Sequence, residues 1–209
     1  MSDLVLRDWA GLDAPHRDRV RQIYEDAFPP ELRAPFEDLL VDRLLVAVPV
    51  PEGADHGADP VGLALVRDLG STDWTFLRYL AIGPRGGGHG SRLVAALAAL
   101  LAAEGRRVLV WDVEDPDEPG IGPEAVEEHR RRIVFYERAG GVLLPVREYA
   151  PPHGDELDGH APSLRLMALP LTDAGLPAVR DLLVGVMTLR YELGVDHPAV
   201  LAPLATLEE

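Results

Sequence analysis

The chain has 209 residues, 47% of them apolar and 26% charged, which is globular usage with enough length to bury a sizeable core. Its formal net charge of −15 argues against a nucleic-acid partner, because phosphates demand clustered cations. It has no cysteine, and all 20 of its basic residues are arginine. Disulfides, thiolate metal sites, a cysteine nucleophile, a Walker-type lysine and Schiff-base chemistry are therefore excluded together.

The start of the chain, Met1-Ser2-Asp3-Leu4, carries no basic residue ahead of an apolar run, so no signal peptide is expected. No apolar stretch reaches the ~20 residues of a membrane-spanning helix. A cytoplasmic protein with no membrane partner is the expectation. In chain order, residues 4–7 read as a short strand. Residues 14–28 place Val20, Ile23, Tyr24 and Ala27 at helical spacing, and Pro29-Pro30 ends that helix. A second short helix is expected over 31–43 and a strand over 44–50, followed by a polar turn cluster at 51–59. Strands follow at 61–67 and 74–82. An alanine-rich helix runs from 91 to 104, closed by Gly105.

A buried-type strand is expected at 108–113 and a helix at 123–138, stopped by Gly140-Gly141. Strands at 142–146 and 164–169 complete the sheet, with a loop over 151–162 between them. This order predicts an α/β or α+β domain with a mixed sheet. The tail from 177 to 193 sets Val179, Leu182, Leu183, Val186 and Leu193 along one helical stripe. Such a stripe must fold back on its own sheet or pack against a second subunit, and its length favours a homodimer. The seven histidines show no metal-ligand spacing, so no metal is expected.

The chemistry concentrates where the strand Phe76-Leu77-Arg78-Tyr79-Leu80-Ala81-Ile82 runs into Gly83-Pro84-Arg85-Gly86-Gly87-Gly88-His89-Gly90-Ser91, which opens a helix. Strand, glycine-rich turn and helix start together make an anion site. Glycines let the backbone approach closely, and the helix N-terminus offers unpaired N–H groups and a positive dipole. A P-loop fails here because His89 stands where its lysine belongs. The dinucleotide fingerprint fails because Ser91 replaces its third glycine.

Arg85-x-x-Gly88-x-Gly90, following Tyr79-Leu80-Ala81-Ile82-Gly83-Pro84, resembles the pyrophosphate signature of the GNAT acetyltransferases. The block Phe135-Tyr136-Glu137-Arg138-Ala139-Gly140-Gly141 resembles the end of that family's acid-bearing helix. The resemblance covers roughly residues 3–170. It implies a mixed, mostly antiparallel twisted sheet flanked by helices, with 171–209 as an added C-terminal helical segment. It also implies acetyl-CoA as donor, bound through Leu80, Ala81, Ile82, Arg85, Gly86, Gly87, Gly88, His89, Gly90 and Ser91, and Tyr136 as the acid for the departing thiolate.

Transfer to an amine needs that amine neutral, and a carboxylate is the usual device. Asp112 and Glu114 close the 108–113 strand; by period 2 they point to one face and share one task, or they are solvated loop acids. Glu25, Phe28 and Glu31, with Tyr79, are the candidates for the acceptor wall, and the acids among them also fit solvated helix faces. His129 and Arg132 stand where many GNAT members carry asparagine and alanine, and Arg78 lies near the place of a common strand acid. The acceptor expected is a small-molecule primary amine. A protein N-terminus, or a non-catalytic acyl-CoA-binding role, stays open.

Overall fold

The computed structural model describes residues 4–28, 33–50, 58–83, 87–152 and 163–207. The expected polar turn at 51–57, most of the 151–162 loop, and Glu31, Arg85 and Gly86 lie outside them. Seven strands form one sheet in the order β1-β2-β3-β4-β5-β7-β6. They are β1 (Leu4–Asp8), β2 (Arg43–Pro49), β3 (Gly62–Asp68), β4 (Trp74–Ile82), β5 (Val108–Glu114), β6 (Val142–Leu143) and β7 (Leu164–Pro170). The pairs β1–β2, β2–β3, β5–β7 and β6–β7 are antiparallel, and β4–β5 is parallel. The helices are α1 (Ala14–Ala27), α2 (Phe36–Leu39), α3 (His89–Ala103), α4 (Pro123–Arg138), α5 (Val179–Leu189) and α6 (Pro198–Ala205).

The chain divides into two compact units, one of residues 1–67 and 77–105, the other of 68–76 and 106–209. In the first unit, the Asp13 side chain caps α1 by accepting from the His16 N–H at 3.1 Å. That helix buries Val20, Ile23 and Tyr24 with Phe36 and Leu39 of α2, against Leu44, Val46 and Val48 of β2 and Leu63 and Leu65 of β3. Residues 44–48 are all buried, so β2 reads as a continuous apolar run with no alternation. Arg43 ties the end of β1 to the end of α3, meeting Glu104 at 2.8 Å and Asp8 at 3.3 Å.

The second unit packs α5 and α6 onto β4, β5 and β7. Leu182, Leu183, Val186 and Met187 of α5, with Val200 and Leu204 of α6, share a core with Phe76, Val108, Val110, Leu166 and Ala168. The stripe expected on the tail is therefore covered by the chain's own sheet, and it no longer argues for a homodimer. Leu193 lies past the end of α5 but packs against the same core.

Three expectations are corrected. The helix expected over 31–43 shrinks to the four residues of α2, because Pro35 stands directly before it and β2 already begins at Arg43. The strand expected over 142–146 stops at Leu143, since Pro145 has no N–H to give a ladder. The helix α6, which holds Pro198 in its first turn and Pro203 inside, has no counterpart in the sequence reading.

Candidate active site

The candidate anion-binding turn lies in the first unit. β4 ends at Ile82, and after 84–86 the chain turns through Gly87 and Gly88, both at φ 68°. This left-handed backbone is open to glycine and strained for side-chain-bearing residues. Gly88 is the N-cap of α3, and the first turn of that helix carries no acid and, among the described residues, no side-chain cap. The first-turn N–H groups of such a helix, with its positive dipole and no acid in that turn, are the arrangement an anion fits. Arg92 braces the turn by donating from Nη2 to the Gly87 carbonyl at 2.6 Å and from Nε to that of Gly88 at 3.4 Å. Its guanidinium also lies 3.1 Å from His89 Nδ1, so His89 is held within the turn. Gly90 and Ser91 are the next residues of α3, and Ser91 is exposed.

Leu80 and Ile82 on β4 are half-buried and Ala81 is buried. Tyr79 joins an aromatic group that the sequence reading resolved only in part: its ring centroid is 5.0 Å from Phe28 and 5.6 Å from Tyr24, and Tyr24 stands 5.7 Å from Phe36. The acceptor-wall candidates Phe28 and Tyr79 are thus in contact, whereas Glu25 is exposed on α1. Arg78, near the place of the family's strand acid, donates to Asp42 at 2.5 Å, and Arg67 donates to the same carboxylate at 2.6 Å. Asp42 is only 5% exposed, so its charge is compensated by two cations.

The candidate acid and base residues Tyr136, Asp112 and Glu114 lie in the second unit. Tyr136, on the last turn of α4, is 8% exposed, with its ring 4.8 Å from Trp111 of β5 and 4.9 Å from Phe135. Burial pushes its phenol up to about 12; Arg132, one turn earlier, pulls it down, and Glu114 pushes it up. Arg132 pairs with Glu114 and, at 3.1 Å, with Glu128. Burial acts against the Arg132 charge, but these carboxylates outweigh it and raise its pKa. His129 places Nδ1 3.2 Å from the Asp115 carbonyl, a hydrogen bond that requires the proton on Nδ1.

Asp112 and Glu114, grouped by the sequence reading, have different partners in the structure. Both are half-buried, but Glu114 is tied to Arg132 on α4, whereas Asp112 accepts from Tyr149 at 2.8 Å and from Tyr191. Glu114 is the last residue of β5, in register with Leu164 of β7. Tyr149 and Tyr191 were missed by the sequence reading. They follow β6 and α5, and no local pattern sets either apart from an ordinary core aromatic. Burial raises both phenols, and the Asp112 charge raises them further. No cluster of potential metal ligands occurs among the described residues, and no helix there is long and apolar enough to cross a membrane.

No family model matches the sequence, and no curated protein sequence matches it. Solved structures do match in three dimensions. An acetyltransferase assigned to the GNAT family from Desulfovibrio desulfuricans is 19% identical, with 81% of this chain and 99% of that one covered at a TM-score of 0.56. A chimeric spermidine N-acetyltransferase from Vibrio cholerae is 13% identical, over 81% and 96%, at 0.56. A GNAT family acetyltransferase from Elizabethkingia anophelis, solved with acetyl-CoA bound, is 13% identical over 81% and 99%, at 0.53. At these identities the likeness is one of fold. The chain is an α/β protein with a mixed, mostly antiparallel sheet, and its fold is similar to that of these GNAT acetyltransferases.

Proposed function

We propose that the protein is an acetyl-CoA-dependent N-acetyltransferase acting on a primary amine of a small molecule. The observation that carries this reading is the turn at Gly87-Gly88, left-handed and glycine-only, opening an uncapped and acid-free helix in a GNAT fold. Arg85, Gly86, Gly87, Gly88, His89, Gly90 and Ser91 hold the pyrophosphate of the donor through backbone N–H groups and the helix dipole. Leu80, Ala81 and Ile82 line the approach along β4. The acetyl thioester supplies the activated acyl group, and everything else is proton handling and placement by side chains.

Tyr136 protonates the departing sulfur. Its raised pKa keeps it a phenol at neutral pH, and the Arg132 charge beside it steadies the phenolate formed when it gives the proton up. Asp112 or Glu114 takes a proton from the incoming ammonium. Phe28 and Tyr79 offer an apolar wall for the acceptor, and Glu25 and Glu31 attract its charge. A second reading, an acyl-CoA-binding module without turnover, draws support from the hold of Arg132 on Glu114 and the deep burial of Tyr136.

One experiment separates the two. The purified protein is incubated with acetyl-CoA and a panel of amines (spermidine, phenethylamine, an amino sugar and a peptide with N-terminal alanine), and free thiol is followed. Amine-dependent thiol release supports catalysis on the amine that elicits it. Release with the peptide alone moves the acceptor to protein N-termini. Saturable CoA binding with no release on any amine leaves the binding module.

A further inference from the structure

Arg165 is the only cation buried among the described residues. It stands on β7 opposite Val113 of β5, and its side chain is 7% exposed. Its ion-pair partner, Asp115, lies 3.8 Å from Nη1, which is too far for a hydrogen bond. Asp115 is served by other donors: it accepts from the Asp117 N–H at 3.0 Å and from the Ser163 hydroxyl at 3.3 Å. The Nε of Arg165 is buried with no hydrogen-bond partner among the described residues. Arg17 and Arg78 also leave Nε unpaired, but each donates through an Nη group, to the Ala10 carbonyl and to Asp42. At Arg165 the guanidinium has lost its water without a replacement.

A second unpaired donor stands beside it. Trp111 of β5 is 2% exposed, and its indole N–H is buried with no acceptor among the described residues. Trp111 is in register with Met167, so Arg165 is its diagonal neighbour on the same face of the sheet. In an ordinary ladder such neighbours are about 7–8 Å apart, within reach of aromatic and long side chains. This is the face that α4 covers, for the Tyr136 ring lies 4.8 Å from Trp111. Guanidinium and indole donate and cannot accept, so what they lack is an acceptor-only group. The guanidinium edge that carries Nε is a planar fork, and a carboxylate matches it.

We propose that the acceptor of the reaction is an α-amino acid, whose carboxylate is held by the Nε edge of Arg165 and the indole N–H of Trp111. The proposal rests on the acetyltransferase reading above and narrows its acceptor. The amine of an α-amino acid is two bonds from its carboxyl carbon, so the anchor holds the nucleophile to the face that carries Tyr136. Arg165 and Trp111 set specificity and take no part in the proton transfers.

The test uses the full chain and acceptor pairs that differ only in the carboxylate: alanine and ethylamine, leucine and isopentylamine, phenylalanine and phenethylamine, arginine and agmatine. In the thiol assay, the amino acid of the fastest pair should exceed its decarboxylated partner in kcat/KM by on the order of 10²-fold, the worth of a hydrogen bond to a charged group. Arg165→Lys keeps a charge beside Asp115 but loses the fork, and should lower that ratio about tenfold or more. Trp111→Phe keeps a ring against Tyr136 and removes the N–H, and should lower the same ratio severalfold. A general loss of packing would slow both members of a pair and leave the ratio in place. Amines that match their amino acids in every pair overturn the proposal while the acetyltransferase reading stands. A wild-type ratio retained by both variants overturns the role of the two residues, and Trp111→Phe alone decides if Arg165→Lys does not fold. If the wild type releases no thiol with any acceptor, the acetyltransferase reading fails, and calorimetry with the same compounds judges the anchor. Binding of the amino acids alone, lost in Arg165→Lys, upholds it; no difference within the pairs overturns it.

Discussion

Deleting residues 171–209 removes α5 and α6, and the structure says how much that costs. Leu182, Leu183, Val186, Met187 and Val200 are fully buried and Leu204 is 8% exposed. Six large apolar side chains at ~1.5–3 kcal/mol each represent ~9–18 kcal/mol of burial. A whole domain is stable by only ~5–15 kcal/mol. The truncated chain is therefore expected to lack a native second unit, with Phe76, Val110 and Leu166 laid open to water. A milder probe keeps the argument quantitative. Leu182→Ala in the full chain should cost ~2–5 kcal/mol, the range for a large aliphatic emptied from a core. At ~2–4 °C per kcal/mol for a chain of this size, Tm should fall by ~4–20 °C. Thermal melts by near-ultraviolet circular dichroism, which sees the packed Trp74 and Trp111 rings, would follow both proteins. A 1–170 chain that melts cooperatively within a few degrees of the full length would refute the reasoning, because the α5–α6 face would then be dispensable.

Gly88→Val places a β-branched residue at φ 68°, where the added Cβ meets nothing within 4 Å, so the fold survives with local strain while CoA affinity drops ~100-fold, or ~2.7 kcal/mol, in calorimetry. Wild-type affinity in the folded variant would remove the turn from the site. Tyr136→Phe should lower kcat by ~10²-fold with little change in KM for acetyl-CoA, and an unchanged kcat would reassign Tyr136 to packing against Trp111. Alkaline titration at 295 nm tests the buried phenols. Tyr136 is raised to about 12 in the folded state, and Tyr24, Tyr149 and Tyr191 are raised as well, out of five tyrosines in all. For a group with a raised folded pKa, the stabilisation is complete below the unfolded value near ~10 and is lost as pH rises through the folded value. Stability should hold below pH ~10 and then fall as pH rises towards about 12, the value to which the Tyr136 phenol is raised. The absorbance should rise late and together with unfolding. Reversible ionisation of four tyrosines near pH 10 in the intact fold would contradict the burial.

Local chemistry was legible in the sequence wherever glycine and proline punctuate it. β4 at Trp74–Ile82 and α4 at Pro123–Arg138 have the expected bounds, since Gly83 and Gly140 end them and Pro123 opens the helix. The glycine turn announced its own place, and the fold followed from it. Where proline acts through what it withholds, the periodicity misled: Pro35 and Pro145 cut short a helix and a strand that apolar spacing alone would extend. The partners of Asp112 were out of reach for a different reason. Tyr149 lies 37 residues away and Tyr191 lies 79, and such contacts are set by how β7 and α5 pack, not by any local period.

The arginine usage has a chemical consequence if the protein handles an activated acyl thioester, as proposed. The cations that fix its architecture are guanidinium groups, with Arg43 between Asp8 and Glu104, Arg67 and Arg78 on Asp42, and Arg132 on Glu114. A lysine ε-amine in any of these places would be a nucleophile whenever it lost its proton, and acylation would erase its charge. A guanidinium stays protonated and does not compete. The scaffold therefore offers no side-chain amine of its own to the donor, and its ion pairs are proof against slow self-modification. In mass spectra of protein aged with excess acetyl-CoA, acetyl groups should be missing from every side-chain amine, because the chain has none to give.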